Sequence, residues 1–343
     1  MCFLQAAIVA PKDGQNCWMR KSGNWKDSIW ARENTLKPQK GLKPGRNDSA
    51  AVGLTGGILE INSPIRIFSF SQRAHKTCTK IEKGAEFTID WFFGQRGSLR
   101  ERGSDGVFDM TGGTFTVTDR FVLAGQINED RGTGTFSQKA GTVTVGGTGI
   151  YLTGNMPLTS SQLASGIYEL SGGTLNIICT TSNEAGMIKG VGNGRFDWID
   201  GTLNATHLGI DIANTGKGNL SPGGDEAIGA TRLVSKGEPT YTQGSQAKMT
   251  VNIASRHSCD QLYWLSSAPK GKSATVIIEP GSTFEIVPIR NYRPRSGDTY
   301  NVIIADEIKL NGEPNIVCES ESGRSFKAKV SSTTPKKLQI VCE

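Results

Sequence analysis

Between residues 106 and 205 apolar and polar positions alternate with a period of two, and the chain writes the same short passage four times. "GVFDMTGGTFTV" starts at Gly106, "GTFSQKAGTVTV" at Gly134, "GIYELSGGTLNI" at Gly166 and "GRFDWIDGTLNA" at Gly194, so the copies begin 28, 32 and 28 residues apart. A period of two is the signature of a strand with one buried face. In the first strand of each copy Phe108, Phe136, Tyr168 and Phe196 share a face with Met110, Gln138, Leu170 and Trp198. After a Gly-Thr turn, Phe115, Val143, Leu175 and Leu203 share a face with Val117, Val145, Ile177 and Ala205. The opposite face carries Thr114, Thr142, Thr174 and Thr202, then Thr116, Thr144, Asn176 and Asn204. A third short strand follows in "FVLAG" (121–125), "GIYLTG" (149–154) and "AGMIKG" (185–190).

Three short strands cannot bury their inward side chains alone. Stacking the copies gives every strand a parallel partner at about 4.8 Å and closes a continuous apolar interior. The spacing therefore predicts an all-β chain, a right-handed parallel β-helix (solenoid) with a C-terminal β-rich cap. Gly112, Gly113, Gly141, Gly172, Gly173 and Gly201 fall at its corners, where φ > 0 or close backbone approach is required. The expected organisation runs from a remnant of an export signal (1–10) and an N-terminal cap (11–53) to a β-helix over 54–224, with the four clear repeats at 106–217. Residues 225–343 carry longer amphipathic strands such as "PTYTQGSQAKMTVNIAS" and "SATVIIEPGSTFEIVPI", read as the wider end of the helix or its cap. A cap is needed because an open solenoid end exposes unpaired strand edges.

Composition agrees with many strands and tight turns. Glycine supplies 43 of 343 residues, nearly twice the usual share of about 7%, while proline stays at 13. The net charge of +6 is spread loosely over 19–46 and 289–297, with no interleaved aromatic and basic stripe. That argues against nucleic acid as a partner and leaves anionic polysaccharide or lipid surfaces as the use of the charge. No apolar run reaches the roughly 18 residues of a membrane-spanning helix. "MCFLQAAIVA" (1–10) reads either as the tail of an export signal or as a plain apolar N-terminus. Removing it leaves six cysteines, an even set compatible with disulfides, with Cys318 and Cys342 the favoured pair. The alternative is that the cysteines are small buried apolar side chains.

Three segments carry a resemblance. "SGNWKDSIWAR" (22–32) with "KPGRNDSAAV" (43–52), the repeated copies with "GNLSPGG" (218–224), and "YTQGSQAKMTVNIAS…DQLYW…SGDTYNVIIADEI" together cover most of 20–310. The chain resembles exported bacterial β-helical surface proteins with autotransporter-associated β-strand repeats, the PEP-CTERM-associated, planctomycete-type passengers. The resemblance implies an extracellular or cell-surface, non-catalytic module for structure or adhesion, whose partners are copies of itself, other surface proteins or polysaccharide. It supplies no catalytic residues and no cofactor.

β-Helices also host polysaccharide lyases and glycosidases, so the outward acids form the candidate site. Asp109, Ser137, Glu169 and Asp197 are equivalent in the four copies. Glu169 and Asp197 one rung apart would approach the roughly 5 Å separation of a retaining carboxylate pair. With Asp109 they could instead hold Ca²⁺; Arg195 emerges on the same face and would neutralise Asp197. Against both stands the ordinary solvated face of a strand. Trp18, Trp25 and Trp30 either stack on sugar rings or plug the first coil. The alternatives to a scaffold are therefore a carbohydrate-active enzyme using Glu169 and Asp197, or a glycan-binding module.

Overall fold

The computed structural model describes residues 15–27, 29–32, 37–95, 105–124, 131–154, 163–179, 186–189, 193–224, 226–235, 237–267, 272–318 and 324–343. The proposed signal at 1–10 lies outside them, as do Gly125, Ala185 and Gly190 of the third strands. Among the described residues the chain is all-β, with 32 strands and no helix. It divides into two compact units, Met1–Gly173 with Ile188–Asp197, and Thr174–Met187 with Trp198–Glu343.

In the first unit most strand pairs are parallel, and they join equivalent positions of successive copies, so side chains of one kind stand in files. Phe108 lies opposite Phe136, and Phe136 opposite Tyr168. Their rings stack at 5.6 and 5.0 Å, and Phe196 continues the file 5.9 Å from Tyr168. A second file runs Phe87, Phe115, Val143, and a third pairs Phe121 with Ile150. All of these are fully buried except Phe196, at 7% exposure. Burying each large apolar side chain contributes roughly 1.5–3 kcal/mol. The files therefore dominate the stability of this unit.

Three of the polar exceptions in this interior form side-chain hydrogen bonds, whereas the buried Thr77 Oγ1 has no partner among the described residues. Tyr168 Oη donates to Gln138 Oε1 at 2.7 Å, and Gln138 Nε2 donates to the Gly141 carbonyl at 3.2 Å. Gln72 Nε2 likewise donates to Thr79 Oγ1 at 2.8 Å. Such partners offset the cost of burying a polar group. The corner glycine before each Gly-Thr threonine is left-handed: φ is 75° at Gly113 and 80° at Gly141. At Gly141 a Cβ would stand 2.4 Å from the Gly113 carbonyl oxygen, so the rung beneath excludes any side chain.

The second unit repeats the device, but the longer strands expected over 225–343 are not found: the longest there, Lys248–Ser255, has eight residues, against ten in Glu86–Gln95 of the first unit. Leu203, Leu220, Met249, Phe284 and Ile316 stand in one file, and Ile212, Tyr241, Val276 and Ile308 in another. Pairing also reverses: Lys336–Cys342 runs antiparallel to both Thr299–Ala305 and Phe326–Val330. Antiparallel pairing occurs in the first unit where Trp30–Arg32 lies against Asn16–Met19.

The expected disulfide is not formed: the described cysteines contain none. Cys318 ends the strand opposite Ile286, whereas Cys342 lies opposite Phe326. The two strands do not pair with each other, although Cys318 lies near enough to act electrostatically on Cys342. Cys17, Cys259 and Cys342 are buried, as small apolar side chains are. Burial pushes the Cys17 thiol up to about 11, with Asp48 adding to the rise.

Candidate functional site

Strand alternation in the first unit sends one ladder outward. Glu60, Lys80, Asp109, Ser137 and Glu169 stand in register on successive strands. The expected equivalence of Asp109, Ser137 and Glu169 is therefore met. Ser137 separates Asp109 from Glu169 by two rungs, about 9.6 Å at the parallel-strand spacing. Asp109 is thus too far from Glu169 to act with it.

The acids are occupied by cations. Lys139 Nζ lies 2.7 Å from Asp109 Oδ1. Arg195 Nε reaches both oxygens of Asp197, at 2.6 and 2.8 Å. The hydrogen bond to Asp197 and its charge raise the Arg195 pKa, and Glu169 adds to that effect. Arg195 is thus ion-paired with Asp197 and feels the charge of Glu169. A retaining pair needs one carboxyl kept protonated beside its partner; the structure instead ties Asp197 to the Arg195 guanidinium. Among the described residues no group of three or more His, Cys, Asp or Glu side chains is placed to hold a metal. Asp109, Glu169 and Asp197 form no such group.

The tryptophans divide. Trp25 and Trp30 are buried, with ring centroids 4.6 Å apart, and Trp25 also packs 5.8 Å from Phe87. Trp30 Nε1 donates to the Trp25 carbonyl at 3.1 Å. Trp18 instead points outward and is half-buried, because its neighbours Cys17 and Met19 take the inward positions. The Arg20 and Arg73 guanidiniums lie 5.6 and 5.0 Å from its ring centroid.

Three carboxylates that organise the backbone escaped the sequence reading. Asp48 Oδ2 accepts the Gly45 N–H at 2.7 Å, and Asp298 Oδ2 accepts the Arg295 N–H at 2.8 Å. Each aspartate also donates its own N–H to the carbonyl of that same partner. The signal was present: "PGRNDS" and "PRSGDT" share Pro-x-x-x-Asp-[Ser/Thr] ahead of a strand. The third is Asp260, fully buried in the second unit. It accepts the N–H groups of Gly229 at 2.7 Å and Asn252 at 2.9 Å. Asn252 Nδ2 in turn donates to the carbonyls of Gly224 and Ala227. Burial pushes the Asp260 carboxyl up to about 6 against the lowering pull of these hydrogen bonds. No sequence pattern distinguishes this aspartate, because one partner arrives from a distant loop and the other from the preceding strand.

The three histidines are scattered. His75 Nδ1 is 3.2 Å from Asp105, while burial and Arg232 lower the His207 pKa. Among the described residues no helix is long and apolar enough to cross a membrane. Comparison with protein-family models and with curated proteins finds no match.

Proposed function

We propose that this chain is a right-handed parallel β-helix serving as a non-catalytic extracellular scaffold of a cell surface or matrix, extended by end-to-end association of its copies. One observation carries the non-catalytic part. Asp109 and Asp197 on the outward face are ion-paired with Lys139 and Arg195, and Asp109 stands two rungs from Glu169, an arrangement without a convergent acid and base. The in-register aromatic files support the β-helix, since a stack of identical rungs makes those files and a two-sheet sandwich does not. The antiparallel strands at 326–342 would be a partial C-terminal β-rich cap, pairing with Thr299–Ala305 but not with Glu307–Leu310 or Asn315–Cys318. The resemblance to exported β-helical passengers fits the same reading.

Association is supported by the last strands. Among the described residues, Glu307–Leu310 and Asn315–Cys318 each pair on one side, with Thr275–Ile278 and Thr283–Pro288. Their inward residues Ile308, Leu310 and Ile316 are half-buried, whereas Val276, Ile278 and Phe284 beneath them are fully buried. An apolar, partly exposed strand edge is a template for another chain.

Negative-stain imaging of the purified protein tests the reading. Rods joined end to end are expected; isolated particles at all accessible concentrations would overturn the association. Turnover of any acidic or neutral polysaccharide that disappears in both Glu169→Gln and Asp197→Asn, with the fold intact, would replace the scaffold by an enzyme.

A further inference from the structure

We propose that Arg290, Arg293 and Arg295 form a binding site for an acidic polysaccharide, whose carboxylate or sulfate groups repeat along its chain. The site is built from two consecutive turns of the second unit. The Tyr292 N–H donates to the Ile289 carbonyl at 3.1 Å, and the Asp298 N–H to the Arg295 carbonyl at 3.0 Å. One carboxylate ties the turns together: Asp298 Oδ2 accepts the Tyr292 hydroxyl at 2.7 Å and the Arg295 N–H at 2.8 Å. The Ile289 N–H also donates to the Ile253 carbonyl at 2.9 Å, and Arg256 reaches Asp298 from the neighbouring turn.

The positive charge of these turns is not balanced within them. Asp298 is the only carboxylate of residues 289–298; it is buried, and its other oxygen lies 3.5 Å from Arg256 Nε. Arg290, Arg293 and Arg295 are exposed and enter no ion pair among the described residues. Neighbouring like charges repel until an anion joins them. The backbone adds an independent sign. Arg290 and Asn291 are both left-handed, with φ of 55° and 60°. Such turns favour Gly, Asn or Asp at their centre, so the turn alone does not select an arginine at 290. A side chain held against its backbone preference points to a use beyond the fold.

Three features choose the partner. A planar guanidinium fork matches an oxyanion bidentately, and forks leaving from two turns fit anionic groups spread along a polymer better than one small anion. A membrane surface is met by apolar anchors beside the cations. The exposed large apolar side chains Ile58, Val107, Ile178, Ile199 and Val317 all belong to other segments. Single-stranded nucleic acid stacks its bases on open aromatic rings. Tyr292, the one aromatic residue of these turns, is half-buried with its hydroxyl held between Asp298 and Tyr300. The assignment does not depend on the scaffold reading, because it uses only contacts within residues 253–300.

Biolayer interferometry of the intact protein on polygalacturonate, dextran sulfate, neutral dextran, duplex DNA and phosphatidylserine vesicles tests it. Binding to an acidic polysaccharide is expected, weakening as salt is raised, with none to dextran. Which of the two polymers binds separates carboxylate from sulfate recognition. The triple variant Arg290→Gln, Arg293→Gln, Arg295→Gln should weaken that binding by about tenfold or more. Lys21→Gln, Lys26→Gln and Lys43→Gln together remove the same charge from exposed sites of the first unit and should leave it within about twofold. Arg290→Gly separates binding from folding. It should weaken binding yet raise the unfolding midpoint, since glycine accepts a left-handed backbone. No binding to either acidic polymer, equal binding to dextran, unchanged affinity in the arginine variant or an equal loss in the lysine variant would overturn the site. Tighter binding to DNA or to vesicles would overturn the choice of partner, and a lowered midpoint in Arg290→Gly would show an arginine kept for the fold.

Discussion

The strands at 16–32 and those at 307–318 both finish a set of parallel files, and they finish it differently. In the first, Met19, Trp30 and Ala31 are fully buried, and the Trp25 indole packs against Phe70, Phe87 and the Trp30 ring. In the second, Ile308, Leu310 and Ile316 continue buried files but are themselves only half-buried. Large side chains can seal a file within its own chain. Medium-sized ones at the last rung leave apolar surface for something else to cover. The contrast separates a region sealed within the chain from one that, on the proposed reading, is covered by another copy.

The largest test of that contrast is Trp30→Ala. Removing a fully buried indole that also donates a hydrogen bond should cost about 3–5 kcal/mol. Urea denaturation of the purified protein measures it. A loss below about 1 kcal/mol would mean that the tryptophans do not seal the files.

Next in size is a pair of aspartates in the second unit whose environments act in opposite directions. Asp260 has its carboxyl pushed up to about 6 by burial. The native state then holds its proton more tightly than the unfolded chain does. The associated stability is complete below about pH 4 and is lost as the pH rises to about 6. It amounts to about 3 kcal/mol at most, since each tenfold gain in proton affinity is worth roughly 1.4 kcal/mol. Burial also pushes Asp298 up, but the Tyr292 hydroxyl, the Arg295 N–H and Arg256 outweigh it, and its carboxyl lies below the usual range. Its contribution is present above the ordinary aspartate pKa and is lost as pH falls through the lowered value. Unfolding curves of Asp260→Asn and Asp298→Asn, each compared with wild type between pH 3 and 7, should therefore diverge from it in opposite senses.

How much of this was legible in sequence depends on which physics sets each residue. The Phe108 file and the Gly-Thr corners could be read because side-chain alternation and left-handed glycine are local properties. The outward position of Asp109, Glu169 and Asp197 followed from the same period, and so did Arg195 beside Asp197. Lys139 was not readable as the partner of Asp109, since it lies beyond the strand of the following copy. Arg73 beside Trp18 and Asp260 under Gly229 depend on which distant strands become neighbours. The Cys318–Cys342 expectation failed for a related reason. Similar local settings say nothing about whether two strands pair. Antiparallel return of Lys336–Cys342 was equally hidden, because parallel and antiparallel strands alternate alike.

A smaller effect separates two left-handed glycines of similar φ. Gly141, at 80°, has the Gly113 carbonyl where its Cβ would go; Gly297, at 87°, has nothing within 4 Å. Gly297→Ala should cost about 1 kcal/mol, the backbone penalty alone. Gly141→Ala adds a clash with a fixed rung and should cost about 2–3 kcal/mol. Equal losses would show that the rungs yield at the corners, and the files would then be softer than their registry implies.

The smallest expected effect on folding is also the one that sharpens the contrast most. Ile316 and Phe284 occupy one file on successive strands. Phe284→Ala removes a fully buried ring and should cost about 3–5 kcal/mol. Ile316→Ala removes a half-buried side chain and should cost about 1 kcal/mol or less in dilute solution, where no second chain covers it. If copies dock on this edge, the balance reverses with concentration. Association buries Ile316, so Ile316→Lys should leave the dilute unfolding midpoint within a few degrees of wild type yet abolish the rods, because a buried ammonium has no partner there. Sedimentation velocity across a concentration series measures this directly. Wild-type and Ile316→Lys protein sedimenting alike at every concentration would leave the half-buried file as surface, and place any assembly on another face of the chain.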